Sequence, residues 1–449
     1  MRGSQFRKAC LDGQLMTRPG VLLPVLQRWS CHNCGGCCRE HEITITQEEK
    51  RRIEGQNWSI ADGVAADREL IVSQGTAWRL NHQDDGACVF LDQSGLCRIH
   101  SKFGEAAKPL ACRLYPYAIH PAGHMVTTSL RFSCPSVVQN LGEPVTSCRS
   151  SIEALSKEVV PAGYQAPEAP ELRPGQPLQW PDMTRVLAFL DRGLADTAVS
   201  FLTRLTRILS WIELLGKVEG SVVAGDQLAK ILPLLYEASV RAYPQDESPD
   251  TAPSGLGRVM FRQLVAQLIR HDTAVARNSG LSARLRLLLQ GLRFTLGRGR
   301  VPTLPDPESV RVAFVERAGV AEVAASATFR QLEQPFGGRN PELDQLFTRY
   351  FQVKLQGLHF CGPAFYQFSV IEGFQSLALM YPAVLWTARL RATKEGRNTL
   401  QRRDVEAALA TLDHNYGYSP VLGMNASRQR IRQLAQMQQI AVLCAWYSR

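Results

Sequence analysis

Four cysteines fall within eight residues, Cys31, Cys34, Cys37 and Cys38, in the string CHNCGGCC, and nothing else restricts the fold of this chain as strongly. Four more follow: Cys88 and Cys97 in CVFLDQSGLC, Cys112 in KPLACRLYP and Cys134 in RFSCPS. Thiolates two residues apart can turn toward one point, and two glycines inside the run let the backbone close tightly around it. A metal or an iron–sulfur cluster is the economical explanation. A segment organised in this way needs less hydrophobic core of its own, because the metal replaces part of it.

Two kinds of metal centre fit the spacing. Cys31, Cys34 and Cys37 form C-x2-C-x2-C, by which bacterial ferredoxins give three ligands to a [4Fe–4S] cluster, and Cys134-Pro135 offers the cysteine–proline pair of the fourth ligand at long range. Eight thiolates equally fill two tetrahedral four-cysteine zinc sites. Adjacent Cys37 and Cys38 are expected to point in different directions and to serve different sites, or to leave one of the two outside the shell. The C-x3-C-x2-C string of radical S-adenosylmethionine enzymes is absent. The start of the chain has no apolar signal region, and Met16 reads as the more natural first residue. The expectation is a cytoplasmic protein with reduced thiols, not a disulfide framework.

The 449 residues allow two or three domains. Residues 1–30 read as an extension and 31–150 as the cysteine-cluster domain, in which Thr46-Gln47-Glu48-Glu49 forms a helix-opening capping box. Residues 151–182, rich in proline, read as a linker or an extended strap. From Met183 apolar residues recur at three- and four-residue intervals, so 183–449 reads as a larger helical domain. The fold class expected is mainly α, with no convincing alternating strands. Asn340-Pro341 opens a helix with Leu343, Leu346, Phe347 and Tyr350 on one face. Phe368–Leu390 is the most apolar stretch, but Glu372 and Pro382 interrupt it, which marks a core helix and not a membrane span. Further breaks fall at YPQDESPDTAPSG and VPTLPDPE.

The net charge of +10 is spread along the chain and does not by itself indicate nucleic acid. Arg284, Arg286, Arg293, Arg298 and Arg300 form a basic run without interleaved aromatics, the pattern of a solvated helix face. No G-x-G-x-x-G follows a strand, so an S-adenosylmethionine site would be of another kind. His100, His120 and His124 lie among the cysteines and could replace one as ligand, while His32 could donate a hydrogen bond to the sulfurs. Arg113 and Tyr115 follow Cys112 and could do the same, or simply pack there. His359 beside Cys361 suggests a nucleophilic pair only weakly, since no third orienting residue accompanies it. His414 is the other notable polar position.

CHNCGGCC, the C-x8-C pair ending CRIH, and KPLACRLYP resemble the YkgJ-type cysteine-cluster proteins, described as zinc- or iron-chelating domains, over roughly residues 31–140. The resemblance implies that Cys31, Cys34, Cys37, Cys38, Cys88, Cys97 and Cys112 hold metal, with Cys134 the natural eighth. A related branch contains the flagellin lysine N-methylases, which this chain resembles in its N-terminal cysteine cluster, its long helical region and segments such as LDHNYGY. That resemblance implies methyl transfer from S-adenosylmethionine to lysine side chains of a protein substrate, with an iron–sulfur cluster involved.

Overall fold

The computed structural model describes residues 20–65, 67–160, 163–244, 251–269, 281–302 and 327–449, without the side chains of 281–287. The proposed start at Met16, the VPTLPDPE break, the middle of the YPQDESPDTAPSG loop and the side chains of Arg284 and Arg286 lie outside that description. The described chain is mainly helical, with two three-stranded sheets near its N-terminus.

The first sheet has the order β1 (Val21–Leu22), β6 (Met125–Leu130), β5 (Tyr117–Ala122), with β1 parallel to β6 and β5 antiparallel to it. β5 and β6 form a hairpin closed by Gly123-His124, where Gly123 takes the positive φ of 60° that such a tight turn requires. No alternation marks β6, because it is buried on both faces from Val126 to Leu130. The second sheet has the order β2 (Thr44–Ile45), β4 (Ala77–Leu80), β3 (Ile71–Gln74). It covers a small core of Ile45, Ile53, Leu80, Cys88, Val89, Phe90 and Ile99.

The larger core runs through β1, β5 and β6 and continues across the helices to Tyr447. At its centre lies the helix Val370–Lys394, in which nineteen of 25 residues are buried, as a helix apolar on all sides demands. Ser369 and Glu372 close its first turn as a capping box. Its first N–H groups, of Val370 and Ile371, donate to the carbonyls of Glu171 and Leu172 in the proline-rich segment, at 2.8 and 3.0 Å. Pro382 leaves the Ala378 carbonyl without its helical donor, and the Cys444 thiol reaches that carbonyl at 3.8 Å. No helix among the described residues is long and apolar enough to cross a membrane.

The helix Glu342–Gln356 buries Leu343, Leu346, Phe347 and Tyr350 as its spacing predicts, and Asn340 accepts the Glu342 N–H at 3.0 Å. This helix fastens the first sheet to the helical body. Thr127 donates to the Gly357 carbonyl at 3.1 Å and Ser129 to the Val353 carbonyl at 3.4 Å. Arg349 reaches Gln27 Oε1 and the Val137 carbonyl, each at 2.7 Å, and also the Val138 carbonyl. Gly357 comes so close to β6 that a Cβ there would lie 2.8 Å from Ser129 Cα.

Candidate metal centre

The CHNCGGCC loop is shaped by backbone that few residues adopt. Asn33 and Gly35 have φ values of 54° and 69°. Gly35 then caps the short helix Gly36–Glu40, which carries Cys37 and Cys38. Against this loop lies the turn joining Cys88 to Cys97. Asp92 Oδ1 closes that turn by accepting the N–H groups of Ser94 and Leu96 at 2.9 and 2.8 Å. Gly95, with φ 86°, allows the approach: a Cβ there would stand 2.6 Å from the Asn33 carbonyl oxygen. The Cys88 N–H donates to the Cys38 carbonyl at 2.7 Å, binding the two cysteine loops directly.

Cys112 arrives by a different route. The Thr46–Glu49 capping box forms as the sequence predicts, with Glu49 Oε2 accepting the Thr46 N–H at 2.8 Å. The second oxygen of the same carboxylate accepts the Leu110 N–H at 2.7 Å and so fixes the first turn of the helix Leu110–Leu114, on which Cys112 sits. Cys134 stands at the head of the helix Pro135–Val138, within the larger core. Cys38, Cys88 and Cys97 belong to the smaller core. The eleven described cysteines are all free.

These sulfurs share one electrostatic environment. The Cys134 thiol is pushed up to about 12 by burial, with Cys34 and Cys37 adding to the shift. Burial raises Cys34 as well, and Cys37 and Cys31 add to it. Burial pushes Cys88 up to about 12, reinforced by Cys97 and Cys37, and drives Cys112 well above the usual thiol range, reinforced by Cys88, Cys37 and Cys97. Cys37 is raised well above that range, first by its hydrogen bond with Cys38, whose sulfur lies 4.0 Å away, and then by burial. The adjacent pair therefore points together, contrary to the expectation of divergent directions. Two groupings emerge, Cys31–Cys34–Cys134 and Cys88–Cys97–Cys112, and Cys37 acts on both.

Other groups favour the opposite charge state. Backbone N–H groups of Gly36, Phe90 and Val137 donate to the sulfurs of Cys34, Cys88 and Cys134, each lowering the thiol pKa against burial. Lys108 acts in the same sense on Cys37 and Cys112, and Arg98 on Cys88. The indole N–H of Trp29 is buried with no oxygen acceptor, and it too lowers Cys134. Donors and cations directed at buried sulfurs suit thiolates bound to metal, whose charge they stabilise. The residues present therefore fit a metal centre. Among the described residues no three cysteine sulfurs lie within 4.8 Å of one another.

The other residues singled out from sequence take plainer roles. Arg113 forms a two-pronged pair with Glu158 and is not turned to the sulfurs. Tyr115 shares a hydrogen bond of 3.2 Å with Ser133. His32 Nδ1 lies 3.0 Å from Ser136 Oγ. His100 and His124 are exposed, while His120 stacks on His359 at 5.3 Å. His359 Nδ1 faces Lys354 Nζ at 3.3 Å, and burial raises the Cys361 thiol far from ionisation, so the two make no nucleophilic pair. Arg293, Arg298 and Arg300 are exposed.

A second constellation lies beside the thiols. Glu40, His41 and His414 each present one ligand atom, all three within 4.8 Å of one another. His41 stacks parallel on His414, with centroids 4.9 Å apart and 3° between the planes. His414 stands out in the sequence, whereas Glu40 and His41, one residue beyond the CHNCGGCC string, carry no local signal. Only the fold brings them to His414.

Geometry and donors together describe a cysteine-rich segment whose chemistry suits a metal. Residues 30–135 match the model of the CxxCxxCC family, described as a "Putative zinc- or iron-chelating domain". Among curated proteins the chain is similar to the lysine-N-methylase of Salmonella typhimurium, 25% identical over 122 residues, which cover 25% of this chain and 30% of that protein. It is also similar to the flagellar biosynthetic protein FliU of Salmonella muenchen, 24% identical over 132 residues, or 28% of this chain and 78% of that protein. The chain thus spans less than a third of the lysine-N-methylase it matches. No solved structure matches the chain.

Proposed function

We propose that this is an iron–sulfur protein whose eight thiols form two four-thiolate sets. Cys31, Cys34, Cys37 and Cys134 make the first set, which holds a [4Fe–4S] cluster, and Cys38, Cys88, Cys97 and Cys112 make the second. The observation carrying the reading is the spacing of the sulfurs. They perturb one another's ionisation, yet no three lie within 4.8 Å. In a four-iron cluster each thiolate binds its own iron, so the sulfurs stand farther apart than around a single zinc. Reduced thiols of this kind persist in the cytoplasm, which is where the reading places the protein.

Anaerobic purification followed by an absorption spectrum and iron, sulfide and zinc analysis tests this directly. The expected result is a coloured protein with iron and acid-labile sulfide in equal amounts. A colourless protein carrying two zinc ions per chain would overturn it. Cys34→Ser is expected to lose iron and to destabilise residues 31–150. Full metal content with an unchanged melting curve would refute the ligand assignment.

A second reading is favoured by the similarity to a lysine-N-methylase. In it, the cysteine segment 31–150 and the helical region 183–449, joined through 151–182, bind S-adenosylmethionine and a protein substrate with exposed lysines. Calorimetry with S-adenosylmethionine on metal-replete protein decides it: saturable binding is expected, and no heat of binding sinks the methylase reading while leaving the iron–sulfur reading intact.

A further inference from the structure

We propose that Glu40, His41 and His414 form a separate site for a divalent first-row metal ion, distinct from the thiols. Two imidazoles and one carboxylate make a set of single negative charge with borderline-hard donors, suited to Fe2+ or Zn2+, and three protein ligands leave coordination positions open. Glu40 Oε2 and His414 Nδ1 are 3.7 Å apart, longer than a hydrogen bond. That separation is close to the roughly 3.4 Å between two ligand atoms of a tetrahedral shell with bonds near 2.1 Å. The Glu40 and His414 side chains are 14% and 16% exposed, which leaves water a route to the open positions.

The backbone on both sides of the site is held by rigid structure, and binding one ion would turn the His41 and His414 rings out of their parallel stack so that both nitrogen lone pairs face it. Glu40 ends the helix Gly36–Glu40, and His41 caps it through its N–H to the Cys37 carbonyl. His414 follows the helix Arg402–Asp413, with its N–H on the Ala410 carbonyl at 3.3 Å. Its own carbonyl accepts Arg131 Nη2 at 3.2 Å. The Arg131 guanidinium lies over the Tyr418 ring at 3.8 Å. Asp413, the residue before His414, is buried and bonded to Lys354, Tyr350 and the Phe132 N–H. The histidine thus projects from one of the most constrained points of the helical body toward the segment that carries the cysteines. A bound ion would cross-link the two.

The test is a Co2+ titration of the full-length protein with its thiols loaded as isolated. Cobalt on nitrogen and oxygen donors gives weak visible ligand-field bands, without the intense near-ultraviolet charge transfer of cobalt on thiolate. The expected result is saturable uptake with the former signature and a rise in melting temperature with cobalt concentration. His414→Ala and Glu40→Gln should each weaken uptake by more than the roughly 10–100-fold that loss of a supporting partner causes. Iron and sulfide content should stay at wild-type levels in both. Failure of wild type to take up cobalt, uptake showing only thiolate bands, or variants binding like wild type would each overturn the proposal. If His414→Ala does not fold, the isosteric Glu40→Gln decides alone. Iron and sulfide analysis of the wild type reads the thiol proposal separately, so either can fail without the other.

Discussion

Lys354 and Asp413 form an ion pair of 2.7 Å between two side chains that have no solvent exposure. Burial lowers the lysine pKa and the carboxylate raises it again. The second oxygen of Asp413 accepts the Phe132 N–H at 2.5 Å, and Lys354 Nζ also reaches the Leu130 carbonyl at 3.3 Å. The pair therefore ties the end of β6 to two helices at once, and it sets the position from which His414 departs.

Asp413→Asn leaves a buried ammonium without its counter-charge, and removal of one partner of such a pair costs about 3–5 kcal/mol. Urea unfolding should show a correspondingly lower midpoint. The double variant Lys354→Met/Asp413→Leu should recover much of the loss, because no unpaired charge remains. A single variant as stable as wild type would show that the pair does not hold this junction.

Glu49→Ala removes the N3 half of the capping box together with the acceptor for the Leu110 N–H. Each hydrogen bond of this kind is worth about 0.5–1.5 kcal/mol. Since the second oxygen positions the helix bearing Cys112, metal should also be lost faster to a chelator than from wild type. Equal chelation rates with lowered stability would confine Glu49 to the cap.

Acid should destabilise the protein through His120. Burial lowers its pKa from 6.5 to about 4, with Lys354 adding to the shift. The unfolded chain therefore takes up a proton as pH falls through 6.5, and the folded chain does so only near 4. Stability contributed by the neutral imidazole is complete above 6.5 and is lost between 6.5 and about 4, by up to about 3 kcal/mol. His359 is lowered in the same direction, chiefly by burial, and adds to the slope. His120→Gln should flatten the stability–pH curve in this window. An unchanged slope would remove His120 from the account.

Gly357→Ala places a methyl group against the Ser129 backbone, where β6 meets the helix Glu342–Gln356. Overpacking of this kind costs about 1–3 kcal/mol. Thermal melting should register it, and Ser129→Gly in the same chain should relieve part of the loss.

The capping box at Thr46–Glu49 and the buried face of Glu342–Gln356 were legible in the sequence because both depend on contacts within one helix. The role of the second Glu49 oxygen was not, since Leu110 is brought to it only by the fold. β5 and β6 escaped for another reason. Their alternation is erased by burial on both faces, which leaves VTTSL looking like any apolar stretch with hydroxyls. The cysteines could be proposed as ligands one by one from their spacing, while their grouping around Cys37 required the two loops to be laid against each other. His41 and His414 illustrate the limit, because nothing local to either predicts that their rings will stack.

One short helix, Gly36–Glu40, carries Cys37, Cys38 and Glu40 within a single turn and a half. It behaves as a stiff bar with a foot in each constellation. A small rotation that drew Cys37 toward its partners would swing Glu40 against His414 in the same motion. Filling one constellation therefore shifts the geometry that the other presents, while each keeps its own ligands and its own readout.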